Sequence, residues 1–121
     1  ATSKGHICRA ALESIVYQTQ DVIESLYDSF ANLELTTMKV DGGATNNDWL
    51  MQFQANISNL TIERPSSIEA TALGAAICAA SVLDLCPKIN IPSSIKFSPT
   101  LSNDLRDEYI STWKKALAKY F

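Results

Sequence analysis

Gly42 and Gly43 are the residues whose type and setting first suggest chemistry. They stand in the run Met38-Lys-Val-Asp-Gly-Gly-Ala-Thr-Asn-Asn47, between a short apolar stretch and an amphipathic one that begins at Asp48. Lacking a Cβ, both can take positive φ and let a ligand lie directly against the backbone. A helix starting just beyond them presents unpaired N–H groups and the positive end of its dipole. Phosphate or another anion suits such a place. The same pair of glycines also makes a plain strand-to-helix turn, for which geometry alone is reason enough.

Other chemistries find less support. His6 is the only histidine and falls in a first helical turn, where the dipole disfavours a cation, so it reads as a neutral hydrogen-bonding residue. No Cys-x-x-Cys or His-x-x-x-His spacing occurs, which argues against a metal site. Cys8, Cys78 and Cys86 are odd in number and far apart, and read as small buried hydrophobes of a reducing compartment. Lys114, Lys115 and Lys119 suit the last turns of a helix and read as a solvated end rather than an anion site. The net charge of -3, from ten basic and thirteen acidic residues, gives no basic stripe for nucleic acid or an anionic membrane. The longest apolar run, Ala70 to Leu83, is too short for a bilayer, and the start of the chain lacks the order of a signal peptide; the chain reads as cytoplasmic.

The elements that must position the glycine turn follow from periodicity. From His6 to Phe30, Cys8, Ala11, Leu12, Ile15, Val16, Thr19, Val22, Ile23, Leu26, Tyr27 and Phe30 mark one helical face, capped by Thr2 or Ser3, while Glu13, Gln18, Gln20, Asp21, Glu24 and Asp28 populate the other face, their charges a solvated flank. Leu35 to Val40 reads as a strand. After the turn, Leu50, Phe53 and Ile57 give a helix a core face, with Trp49 and Met51 beside it. Leu60 to Arg64 is a second strand stopped by Pro65, and strand, helix, strand at this spacing is a parallel crossover. Ser66 or Ser67 then caps a helix whose alanines surround Gly74, a composition expected of a buried helix in close contact with its neighbours. Pro87, Pro92 and Pro99 predict an exposed connection with little structure from Leu85 to Thr100. A last helix, capped by Ser102, carries Leu105, Tyr109, Trp113, Ala116, Leu117 and Tyr120 on one face. Two strands cannot make a full sheet for four helices, which points to further strands upstream.

Several of these stretches, in order, resemble a known family. Val40-Asp-Gly-Gly-Ala-Thr-Asn-Asn-Asp-Trp-Leu-Met-Gln-Phe-Gln-Ala-Asn-Ile57, Glu63-Arg-Pro, Glu69-Ala-Thr-Ala-Leu-Gly-Ala-Ala76 and Ser111-Thr-Trp-Lys-Lys-Ala116 resemble the C-terminal nucleotide-binding half of the glycerol kinases. His6-Ile-Cys-Arg-Ala-Ala-Leu-Glu-Ser14 is similar to the second half of a signature of the wider FGGY carbohydrate kinase family. The resemblance implies an α/β fold, part of an actin/hexokinase-like (ribonuclease H-like) ATPase domain, with residues 1–121 as a single partial domain: the C-terminal half of the second, ATP-binding domain. It implies ATP and Mg2+ as cofactors, the metal held mainly by parts of the enzyme outside this chain, and glycerol bound through an N-terminal domain.

On that resemblance Gly43 matches the nucleotide-contacting glycine and Asn47 the asparagine near the adenine, while Gly42 and Ala44 flank the contact and lend backbone. Asp41 either works on the nucleotide or braces the turn. No catalytic residue of the family has a match here, so the isolated chain is expected to be inactive, and the full-length enzyme to be a homo-oligomer. The connection from Leu83 to Phe97 looks shorter than in many glycerol kinases, which argues against a regulatory contact of the family there. Two other readings stand beside this one: a non-catalytic nucleotide-binding or interaction module, and the same portion of another FGGY sugar kinase such as xylulokinase. A dinucleotide oxidoreductase is disfavoured because Gly-x-Gly-x-x-Gly follows neither strand.

Overall fold

A computed structural model describes residues 1–66, 70–85 and 93–120. Helix α1, Lys4–Ser29, starts at Ser3, whose side chain accepts from the His6 N–H while His6 Nδ1 accepts from the Ser3 N–H at 3.1 Å. This reciprocal cap gives His6 the local hydrogen-bonding role expected of it. Strand β1, Thr37–Lys39, leads through a 3-10 turn, Gly43–Asn46, into α2, Asp48–Ser58. Strand β2, Thr61–Pro65, returns parallel to β1 with Thr37 opposite Thr61, as the crossover spacing predicts. Helices α3, Ala70–Val82, and α4, Asn103–Tyr120, flank strand β3, Ser94–Phe97.

The strand β3 corrects the expectation of an unstructured connection. It pairs antiparallel to β2, with Ile62 opposite Phe97, and makes β2 the middle of a three-stranded sheet ordered β1-β2-β3. Four residues between prolines are too few to show an alternation in sequence, and their pairing is a tertiary fact. The Lys96 ammonium meets Glu63 across the ladder at 2.7 Å. The rest of the expected connection, Cys86–Pro92, lies outside the described residues, as do Ser67 and Glu69 of the expected α3 start.

Helix α2 is the centre of the packing, with the sheet on one side and α1 and α4 on the other. Phe53 meets Tyr17 of α1 and Tyr109 of α4 edge-on, and Trp113 of α4 stacks on Tyr17 at 5.1 Å. Such pairs each add about 0.5–1.5 kcal/mol beyond the area they bury. Ile57, Ile62 and Val16 complete the dry core. Arg106 of α4 donates to the Ile57 carbonyl at 2.7 Å, and Asn59, left-handed at φ 55, ends α2 just beyond. Two charges expected on a solvated flank of α1 instead join it to α4: Asp21 accepts from the Trp113 indole at 3.2 Å, and Glu24 pairs with Lys114 at 2.6 Å. The buried stripe of α1 is accordingly rotated toward Tyr17 and Gln20, leaving Ile15, Val22 and Phe30 exposed.

Helix α3 also departs from expectation. Its described side chains are exposed or half-buried, it packs broadly against no other described element, and a Cβ built on Gly74 meets nothing within 4 Å. Small apolar residues on every side imply burial, but no partner for them lies among the described residues. Cys8 and Cys78 are exposed for the same reason, on the outlying end of α1 and on α3, against the expectation that they are buried. Cys86 lies outside the described residues.

Candidate functional site

The parallel crossover places the glycine turn at the carboxyl end of β1, level with the carboxyl end of β2 and under the N-terminus of α2. In open α/β sheets this is the edge where ligands bind. Gly42 has φ 96 and ψ 164, a conformation nearly restricted to glycine, so the first glycine is demanded by the backbone. Gly43 is different: it opens the 3-10 turn without positive φ, so the freedom that the turn needs is used at Gly42. A Cβ on either meets nothing within 4 Å, so the surface over the turn is open.

The turn is held by its own side chains. Asp41 Oδ1 accepts from the Gly42 N–H at 2.7 Å, a brace at the start of the turn. Thr45, buried, donates its hydroxyl to the Gly42 carbonyl at 2.7 Å, and the Thr45 N–H donates to the same oxygen. The N–H groups of Gly43 and Ala44, first in the 3-10 turn, donate to nothing among the described residues. They are unspent donors at the surface of the site.

Asn47 caps α2: its Oδ1 accepts from the Leu50 N–H at 3.2 Å, leaving the side-chain NH2 exposed. The side-chain carbonyl oxygen of Asn47 is therefore already engaged in the cap. The N-terminus of α2 is also less available than the sequence suggests. The 3-10 turn stands between it and the glycines, and the Asp48 carboxylate occupies its first turn. The structure thus brings Gly42, Gly43, Ala44 and Asn47 together on one short surface, with free donors on the 3-10 turn.

Two residues of this site escaped the sequence reading: Thr45 and Arg64. On β2, burial alternates so that Ile62 and Arg64 share the inner face. Arg64 is 9% exposed, donates from Nη1 to the Thr45 carbonyl, pairs with Asp48 Oδ1 at 2.8 Å and lies over the Phe97 ring at 5.2 Å. An arginine on the apolar face of a strand, at its carboxyl end after a crossover, was the available signal. Beside the turn, between α1, β1 and α2, a cleft of about 290 Å3 has apolar walls from Ile15, Met38, Val40, Leu50 and Met51. Gln54 lines it, buried, with an Nε2 that has no partner among the described residues.

Residues 1–83 match the family model described as the FGGY family of carbohydrate kinases, C-terminal domain. This chain belongs to that family. Beyond residue 83 the likeness continues: a protein named glycerol kinase from Alkaliphilus metalliredigens is 44% identical over 93% of the chain, and one from Bacillus subtilis 39% identical over 96%. The chain spans about a quarter of the length of these relatives, 23% and 24%. Among solved structures, the Plasmodium falciparum glycerol kinase with ADP superposes with a TM-score of 0.81 at 31% identity, over 98% of this chain and 24% of that one. A xylulose kinase from Lactobacillus acidophilus, at 19% identity and a TM-score of 0.61, shares the fold. The FGGY assignment and the α/β, actin/hexokinase-like architecture expected of the chain both hold.

Proposed function

We propose that residues 1–121 are the ATP-binding C-terminal part of a glycerol kinase, a partial domain contributing nucleotide contacts to phosphoryl transfer from ATP to a terminal hydroxyl of glycerol. The observation that carries this reading is the pair of unpartnered N–H groups on Gly43 and Ala44, at an open turn where no Cβ keeps a ligand away. The likeness to a glycerol kinase solved with ADP supports a nucleotide as the ligand. In this role the two N–H groups donate to anionic oxygens, and the NH2 of Asn47 donates to an acceptor on the base or sugar. Gly42 sets the bend and Asp41 and Thr45 hold it, so the donors are fixed before the ligand arrives.

These residues bind and orient. They include no group positioned to take the proton of an acceptor hydroxyl, and the 121-residue chain by itself is expected to transfer nothing. Mg2+ would neutralise phosphate charge in such a reaction. No group of three His, Cys, Asp or Glu stands together to hold a metal among the described residues.

The test uses the natural gene product. Gly43→Val puts a branched side chain where the ligand would lie, and Asn47→Ser keeps a helix cap while removing the amide donor. Both should raise the KM for ATP and leave that for glycerol nearly unchanged, Asn47→Ser by several-fold, the size of one lost hydrogen bond of about 0.5–1.5 kcal/mol. Folded variants with unaltered ATP dependence would overturn the site. Nucleotide binding without any phosphorylation of glycerol by the natural product would favour the non-catalytic module instead.

A further inference from the structure

We infer that Arg64 is a positioning residue for the nucleotide turn, clamping the 3-10 segment so that the N–H groups of Gly43 and Ala44 keep one direction. The inference rests on the reading of that turn as a nucleotide site. Three contacts carry it. The guanidinium donates to the carbonyl of Thr45, in the middle of the 3-10 turn, and pairs at 2.8 Å with Asp48, the first residue of α2. Its face lies 5.2 Å from the Phe97 ring of β3. One side chain therefore ties together the middle strand, its antiparallel neighbour, the turn and the start of the helix.

The topology explains why an arginine stands here. The crossover returns the carboxyl end of β2 beside that of β1, and the alternation that sends Ile62 into the core sends Arg64 beneath the turn. The guanidinium, planar and always charged, meets the carbonyl and the carboxylate through Nη1 while its face lies over the ring, and a lysine ammonium, which lacks a planar face, does not reproduce that combination. The pairing also offsets the Asp48 carboxylate, whose negative charge beside the turn would otherwise oppose an anionic ligand. Arg64 touches no ligand-facing donor; it acts through Thr45 and Asp48.

Arg64→Lys in the natural gene product tests the clamp with two readouts. Hydrogen exchange of the backbone N–H groups from Gly43 to Asn47 should quicken about tenfold, while those of Phe53 to Ile57 in α2 stay within about twofold, as expected of local rather than global opening. The KM for ATP should rise about five- to tenfold with that for glycerol unchanged, and Arg64→Gln should exceed Arg64→Lys in both effects. Unchanged exchange at the turn, or equal losses toward both substrates with a general fall in protection, would overturn the inference. Should Arg64→Lys not fold, Asp48→Asn sheds only the exposed end of the clamp; exchange from Gly43 to Asn47 quickened about two- to threefold then supports the inference, and unchanged exchange overturns it. If Gly43→Val and Asn47→Ser leave ATP dependence untouched, the nucleotide reading fails, whereas a response from those variants without one from Arg64→Lys fails the clamp alone.

Discussion

Replacing Gly42 and Gly43 in turn by alanine separates backbone geometry from ligand access, because two neighbouring glycines here have different reasons to be glycine. Gly42 lies at φ 96 and ψ 164, where an L side chain costs about 1–3 kcal/mol. At roughly 4 °C per kcal/mol for a domain of this size, Gly42→Ala should lower the melting temperature by about 4–12 °C. Gly43 has no positive φ, and its new Cβ would meet nothing within 4 Å. Gly43→Ala should then leave stability within about 0.5 kcal/mol, or raise it by up to about 1 kcal/mol by narrowing the unfolded ensemble. Its cost should appear in nucleotide affinity. Alanine keeps the backbone N–H, but its Cβ stands where the ligand would lie, and holding a phosphate oxygen off that N–H forfeits about 1.5–3 kcal/mol, or about a ten- to hundredfold weakening. Thermal melts by circular dichroism and calorimetric titration with ADP read the two quantities. A Gly43→Ala melt falling as far as that of Gly42→Ala, or an unchanged ADP affinity in a folded Gly43→Ala protein, would refute this reasoning.

Three further outcomes follow from the packing. Burial, with the charge of Glu13 adding to it, pushes the Tyr17 hydroxyl up to about 12 from its ordinary 10.0, so stability should hold up to about pH 10 and then decline toward pH 12. Tyr17→Phe should flatten that alkaline decline in melting temperature; an unchanged slope would contradict the assignment. Burial alone would raise the Glu24 carboxyl, but hydrogen bonds from Lys114 and Gln20 outweigh it and hold it below the ordinary 4.5, while Lys114 is raised, chiefly by its bond to Glu24. The pair therefore stabilises above the ordinary carboxylate value, loses its effect as pH falls through the depressed one, and loses it again when Lys114 deprotonates. Being half-exposed, it should show a coupling of only about 0.2–1 kcal/mol at neutral pH in a Glu24→Gln, Lys114→Met cycle, and coupling that grows in acid would contradict it. Finally, Gly74→Ala should raise the melting temperature, because α3 gains about 0.5–1 kcal/mol of helix propensity without a clash; a lower melting temperature would reveal a close neighbour after all.

Elements governed by local periodicity were legible in the sequence: α1 with its Ser3 cap, the crossover that pairs β1 with β2, and the core face of α2. Features set by distant partners were not. Ser94–Phe97 is too short to announce itself as a strand and gains its pairing only from β2. Asp21 and Glu24 look like solvent-facing charges until α4 brings Trp113 and Lys114 against them. The apolar composition of α3 speaks for a partner without saying where it lies. In the site, the turn itself was legible, but the division of labour within it was not. Positive φ at Gly42 alone, the cap made by Asn47 and the reach of Arg64 all depend on the folded geometry, since sequence spacing cannot tell which of two glycines bends or which oxygen an amide spends.

The central claim is that the donors of Gly43 and Ala44 contact a nucleotide, and backbone resonances report on it directly. Titrating the 15N-labelled 121-residue chain with ADP should shift the N–H signals of Gly43, Ala44 and Asn47 saturably, leaving those of the far end of α4, from Lys114 to Tyr120, in place. Saturable shifts clustered away from the turn, or none at any ADP concentration while the spectrum remains that of a folded protein, would contradict the account.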